Sequence, residues 1–342
     1  MRRKSLLSVI AGLAMVLCIG AGLAAGAEYP TKEITYIIAF NPGGESDIEF
    51  RLMQPFLEKS FGVRFIPDYK PAAGGALAWN FTASAAPDGY TLAGFNAPHI
   101  ITQPLTMKDV IYTTDGFTYL VMIENTPVTL CTKKDSPFKS LKDFIEFAKK
   151  NPGKITVGGV GKNSGPHLAA LQFQKLTGVK LTYAPFQGTG QLKPAIMGGH
   201  IDAAFTNSSL LVTSKDQIKV LAIGSPKRMP QLPEDPTYEE LGYKMYPRIA
   251  RGAMGPKAIP LDIQKRVEKA FLDTTSKPDF IAKMEQAGFV PQVMGIEESH
   301  KYLDAEVKEH VKLAQEFDLK KQYNPSSPRR SPKIYWDADK HG

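Results

Sequence analysis

Cysteine is nearly absent from this chain: Cys18 and Cys131 are the only two among 342 residues. Cys18 lies in an N-terminal apolar stretch, so a chain that loses that stretch keeps one thiol and forms no internal disulfide. Cys131, in the apolar run TPVTLCT, is expected to pack as a small apolar residue rather than to react. Histidine is sparse as well. The six are dispersed, and no His, Cys, Asp and Glu spacing matches a zinc or calcium site, so neither a metal nor a cofactor is expected. Beyond the first 27 residues no apolar run is long enough to cross a bilayer. Dense blocks of one charge are also missing, apart from the short tail cluster PSSPRRSPK, which argues against a nucleic-acid partner and suits a soluble protein tolerant of anions.

What is present begins with a leader. MRRKSLLSVIAGLAMVLCIGAGLAAGA carries Arg2, Arg3 and Lys4, then an apolar stretch, then small residues. Ala25-Gly26-Ala27 fits an A-x-A cleavage site, so cleavage is expected after Ala27 and the mature chain in the periplasm. Met15-Val16-Leu17 ahead of Cys18 lacks the small residue that a lipidated cysteine wants, which favours cleavage over lipid anchoring. The net charge of +8 then falls to +5, because three cations leave with the leader.

The remaining chain is long enough for two domains. Short apolar runs alternate with helical patterns: ITYIIAF, a helix over 47–61, VRFIPDYK, a helix near ALAWNFTASAA, then PDGYTLAGF. This rhythm predicts a parallel α/β sheet covered on both faces. Pro55 is expected to kink the first helix or start a new turn. YLVMIENTPVTLCTKKD reads as one long extended segment, after which the rhythm restarts through KITVGGV, GPHLAALQFQKLTG, KLTYAPF, IDAAFTN and IKVLAIGS. From PLDIQKRVEKAF onward the pattern is mostly helical, and the tail 320–342 is polar and Pro-rich.

Gly-rich turns follow several of these strands. In FNPGGESD two glycines free the backbone, and Ser46 or Asp47 reads as the N-cap of the next helix, whose unpaired N–H groups favour an anion. ITVGGVGKNSGPHLAA repeats the device, with a helix starting near Pro166 or His167. It is not a phosphate loop, because Thr156 replaces the first glycine and Asn163 follows Lys162. Nor is it a nucleophile elbow: Ser164 is displaced by one position, and no acid stands beside His167 to complete a triad. FQGTGQ offers amide, hydroxyl and backbone donors at Gln187, Gly188 and Thr189, and GFNAPHI offers Asn96 and His99. Ligands of open α/β sheets bind at the carboxyl ends of strands, where all four loops lie. Arg248 and Arg251 either bring a cation to that crevice or form surface ion pairs.

The ordered motifs PGGESD, AAPDGYTL, SPFKSLKDFIEFAKKNPGKITVGGVG, GGHIDAAF and IKVLAIGSPKRMPQLPEDPTYEELG resemble the TctC/Bug family from about Tyr29 to Leu319. Those proteins are the substrate-binding proteins of tripartite tricarboxylate transporters. The resemblance implies an α/β periplasmic-binding-protein type 2 fold with a hinge of two crossing strands. Domain 1 would comprise 28–124 and 252–319, domain 2 would comprise 125–251, and the hinge would lie near Glu124–Thr126 and Ala250–Ala253. It further implies a monomer that closes on a small organic carboxylate and delivers it to the transporter's membrane permease subunits. Carried over by position, the ligand contacts would be Asn41, Gly43, Gly44, Ser46, Asp47, Asn96 and His99 in the first domain. In the second they would be Asn163, Ser164, His167, Gln187, Gly188, Thr189, Thr206 and Asn207. One departure stands out: Glu45 occupies a position where the family favours small or hydroxyl residues, and a carboxylate there repels a second ligand charge unless it points outward or meets a ligand hydroxyl or amine. A carboxylate sensor that presents its closed form to a two-component kinase is the alternative, and an exported serine hydrolase using Ser164 and His167 is a third reading.

Overall fold

A computed structural model describes residues 29–319. The leader 1–27 with its cleavage site and Cys18, and the polar tail 320–342, lie outside the described residues.

Strand β1 (Ile34–Ile38) pairs in parallel with β2 (Phe65–Tyr69) on one side and β3 (Thr91–Ala97) on the other. Because strand side chains alternate, Ile34, Tyr36 and Ile38 share one face, while Ile37 lies on the other in a second apolar cluster. Helix α1 (Glu45–Phe61) covers the first face with Phe50, Met53, Leu57 and Phe61, a stripe at helical spacing. Gly44, not Ser46 or Asp47, is its N-cap, and no side chain caps it. The helix continues through Pro55 rather than ending there.

The long segment predicted as extended is one 17-residue strand, β4 (Phe117–Lys133). From Phe117 to Pro127 it pairs antiparallel with β9 (Arg248–Pro256), and from Val128 onward with β7 (Ala203–Asn207) and β8 (Ile218–Ile223). Strand β9 also pairs antiparallel with β3, so β4 and β9 are the two strands that cross between lobes. In the second lobe β5 (Thr156–Val160) lies parallel to β6 (Thr182–Phe186) and to β7. The sheet order is β2-β1-β3-β9-β4-β7-β5-β6, with β8 and a short β10 (Pro291–Met294) joining β4 off this path. The all-parallel expectation is thus corrected: the lobes keep parallel strands, and the crossing strands run antiparallel because each returns from the other lobe.

The crossing is tight. A Cβ on Gly252 of β9 would stand 2.0 Å from the Val121 carbonyl oxygen of β4, so only glycine fits. The second lobe has its own core around Leu130, Phe144, Phe173, Phe205 and Tyr238. Cys131 is buried on β4, where burial pushes its thiol up to about 12. Among the described residues no helix is long and apolar enough to cross a membrane, and no cluster of His, Cys, Asp and Glu could hold a metal ion.

Candidate functional site

The loops after β1 and β3 face those after β5, β6 and β7, and the two sets touch. The Glu45 N–H donates to the Thr189 hydroxyl at 3.0 Å, and the Thr102 hydroxyl donates to the Asn163 carbonyl at 2.5 Å. Gly74 lies so close to the second lobe that a Cβ on it would meet the Gly161 Cα at 3.5 Å. The cleft is therefore closed over a small cavity.

Five predicted residues line this cavity: Ser46, Asn96, His99, Thr189 and Asn207. His99 is the first residue of α3 (His99–Thr106) and is buried against Phe40 and Trp79. Burial, with Arg251 adding to it, lowers its pKa to about 3, so the ring is neutral. Asn207 closes β7 and caps α7 (Ser208–Val212). Both Asn207 amide atoms and the His99 Nδ1 are buried without a hydrogen-bond partner. Asn96 donates to the Ser46 hydroxyl at 3.5 Å across the first lobe.

The other predicted residues frame the cavity without lining it. The Gly43 N–H donates to Asp47 Oδ2 at 2.8 Å, and the Gly44 N–H donates to the Asn41 carbonyl at 3.3 Å. Gly43 needs its freedom, with φ at +76°. Asp47 also accepts from Tyr69 and Arg51; burial alone would raise its pKa, but these bonds and the one from Gly43 hold it below the ordinary value. Asp47 thus takes one loop amide that the sequence reading assigned to a ligand. Gly188 packs against Asn41, and the Gln187 N–H donates to Gln191 on an exposed turn. The Thr206 hydroxyl and the Asn163 Oδ1 are buried and unpartnered. Ser164 caps α5 (Gly165–Thr177): its oxygen accepts the His167 N–H at 3.3 Å, and its hydroxyl donates to the Gly161 carbonyl. The His167 Nδ1 accepts the Asn163 N–H, so that nitrogen is not free to take a proton from the serine. Burial, with Lys162, lowers the His167 pKa to about 4. The pair caps a helix and does not make a nucleophile and base.

The centre of the site is a charged cluster. Arg251 of β9, 3% exposed, bonds Glu45 Oε2 and Glu124 Oε1 at 2.5 Å each. Glu45 also accepts from the Ser209 hydroxyl of the second lobe, and Glu124 from Thr126. A third carboxyl, Glu49, is buried one turn along α1; burial pushes its pKa well above the ordinary value, Glu124 adds to this, and Arg251 opposes it. Burial also raises Glu124, against the pull of Arg251. For Arg251 burial works against the charged form, and the surrounding glutamates more than offset it. The Arg251 Nε and the Glu49 Oε1 are buried without a hydrogen-bond partner, and Arg251 lines the cavity. Arg248 is ion-paired as the alternative expected, but not at the surface: its partner Glu306, at 2.5 Å, is buried, and it also bonds Tyr302. Ser209 carried no signal in the sequence; Glu124, Thr126 and Arg251 were placed at the crossing strands by the resemblance, and Glu45 stood out in its loop, but nothing in the sequence joined them.

Two lobes on crossing strands, closed over a small cavity with unsatisfied polar groups, fit the family whose description is tripartite tricarboxylate transporter family receptor, which matches residues 49–319. The chain belongs to the TctC family. A UPF0065 protein of Cupriavidus necator is 28% identical to it over 295 residues, covering 86% of this chain and 90% of that one. The periplasmic binding protein BugD is 25% identical with a TM-score of 0.80, covering 85% of this TctC chain and 99% of its own. An R. palustris protein solved with adipate superposes with a TM-score of 0.81 at 24% identity, with the same coverages. The TctC match begins inside α1, so the loop Asn41–Asp47 precedes it.

Proposed function

We propose that this receptor captures a small organic carboxylate between its lobes and presents the closed form to the membrane permease of a tripartite tricarboxylate transporter. One observation carries the reading: Asn207 and Arg251, whose side-chain amide and Nε–H are buried without a partner, line a buried interlobe cavity beside the neutral His99. A buried polar group without a partner is costly, and a bound carboxylate would satisfy several together. Asn96 and the Ser46 hydroxyl complete the donors on the first lobe. The loops Asn41–Asp47 and Gln187–Thr189 close over the ligand and exclude water, which strengthens each bond.

The test is a thermal-shift screen of residues 28–342, unfolded and refolded to shed any co-purified ligand, against di-, tri-, amino and aromatic carboxylates. Ligand at about a hundred times its Kd should add ~2.7 kcal/mol of stability. For a chain this size that is a shift of roughly 5–10 °C. Stabilisation by a carboxylate, lost in Asn207→Ala, is the expected result. A flat response to every carboxylate would overturn the reading.

A further inference from the structure

Arg251 is the only cationic side chain that lines the cavity among the described residues, and its charge is already engaged. Its two terminal nitrogens bond the Glu45 and Glu124 carboxylates, and Glu49 is buried one turn along α1 from Glu45. Two paired carboxylates on one guanidinium leave no positive charge over for a dianion. Glu45 is also held on both sides of the cleft: its backbone N–H by Thr189 and its carboxylate by Ser209, both from the second lobe. Closure therefore brings its carboxylate into the wall of the cavity rather than turning it outward, and the residue is 4% exposed.

The second observation is Asn207, 1% exposed, which lines the same cavity and keeps both its side-chain carbonyl oxygen and its amide NH2 buried without a partner. The amide NH2 and the Arg251 Nε–H suit a carboxylate. The Asn207 carbonyl and the Glu45 carboxylate are acceptors, and they suit a donor, best a charged one. The two requirements meet in one small molecule.

Resting on the carboxylate reading above, we propose that Glu45 is the specificity-determining residue of this cleft, selecting a monocarboxylate that also bears an ammonium group and rejecting a dicarboxylate of matching length. The ligand's ammonium meets Glu45 and the Asn207 oxygen, while its carboxylate meets the Asn207 amide NH2 and the Arg251 Nε–H. A second carboxylate in place of the ammonium faces Glu45 across a site from which water is excluded, where repulsion between like charges is least screened.

Matched pairs separate the charge from the shape: β-alanine against succinate, and γ-aminobutyrate against glutarate. Binding of each to the refolded mature chain is measured by titration calorimetry. The aminocarboxylate of a pair should bind more than about tenfold tighter than its dicarboxylate partner. In Glu45→Gln, which keeps the Ser209 contact and frees one face of Arg251, that preference should shrink by about tenfold or reverse. A wild-type preference for dicarboxylates, or an unchanged ratio in E45Q, overturns the role of Glu45 and leaves carboxylate binding intact. Binding of no carboxylate in this set or in the wider screen overturns both readings together. The wild-type ranking decides the matter by itself if E45Q does not fold.

Discussion

Arg251→Met is the substitution that probes the site's construction most directly. The side chain is almost fully buried, and methionine fills much of its volume without its charge. What remains is Glu45 and Glu124, each deprived of a 2.5 Å partner, with Glu49 close by. Removing one member of a buried ion pair costs about 3–5 kcal/mol, since the stranded carboxylates must be desolvated or protonated. At roughly 2–4 °C per kcal/mol for a domain of this size, the melting temperature should fall by about 6–20 °C. The loss should depend on pH in a definite sense. Without the guanidinium, the folded-state pKa of Glu124 moves further above its unfolded value. The stability that goes with the protonated form is present below the unfolded value and is lost as pH rises. The deficit of R251M should therefore be smallest near about pH 4 and grow toward about pH 8. Thermal melts across that range, with Glu124→Gln/Arg251→Met as a partial rescue, provide the assay. A melting temperature for R251M within about 2 °C of the parent at neutral pH would refute the reasoning.

Glu49→Gln should stabilise the protein at neutral pH, because burial holds the Glu49 pKa above its unfolded value and ionisation opposes folding. The gain should vanish below about pH 4.5 in urea melts, and a loss at every pH would contradict it. Gly252→Ala is expected to abolish the fold, as its Cβ would stand 2.0 Å from the Val121 carbonyl; a native far-UV CD spectrum and a normal melt would be inconsistent with that crossing. Gly44→Val should leave the lobes folded but weaken ligand binding, because a Cβ there already lies 3.4 Å from the Thr189 hydroxyl that closes the cleft. Calorimetry on a ligand found in the screen would detect this, and unchanged affinity would count against closure at Thr189. Ser164→Ala should cost ~1 kcal/mol through the lost cap of α5, measured by chemical denaturation. Ester turnover by the parent that this change removes would revive the hydrolase reading.

The α/β character was legible because it is written in local pattern. ITYIIAF and KITVGGV are short apolar runs followed by glycine turns, IDAAFTN is one followed directly by a helix, and each is a strand that ends at the cleft. The extended character of β4 could be read as well, from the run YLVMIENTPVTLCTKKD. The direction of the crossing strands could not be read. Antiparallel β9 sits between β3 and β4, so a segment from late in the chain pairs with strands more than about 120 residues earlier. Nor does any spacing announce that Arg251 reaches Glu45, 206 positions away, Glu124, 127 away, or that Ser209 reaches Glu45 across 164. The order of the motifs along the chain, by itself, determined the family, the pair of α/β lobes and the loops that face each other, since strand, turn and helix preferences act over a few residues. The tertiary structure alone decided which of those loop groups are spent on one another and which still lack a partner. That depends on where distant side chains meet once water is excluded, and buried charges are governed by their nearest neighbours in space.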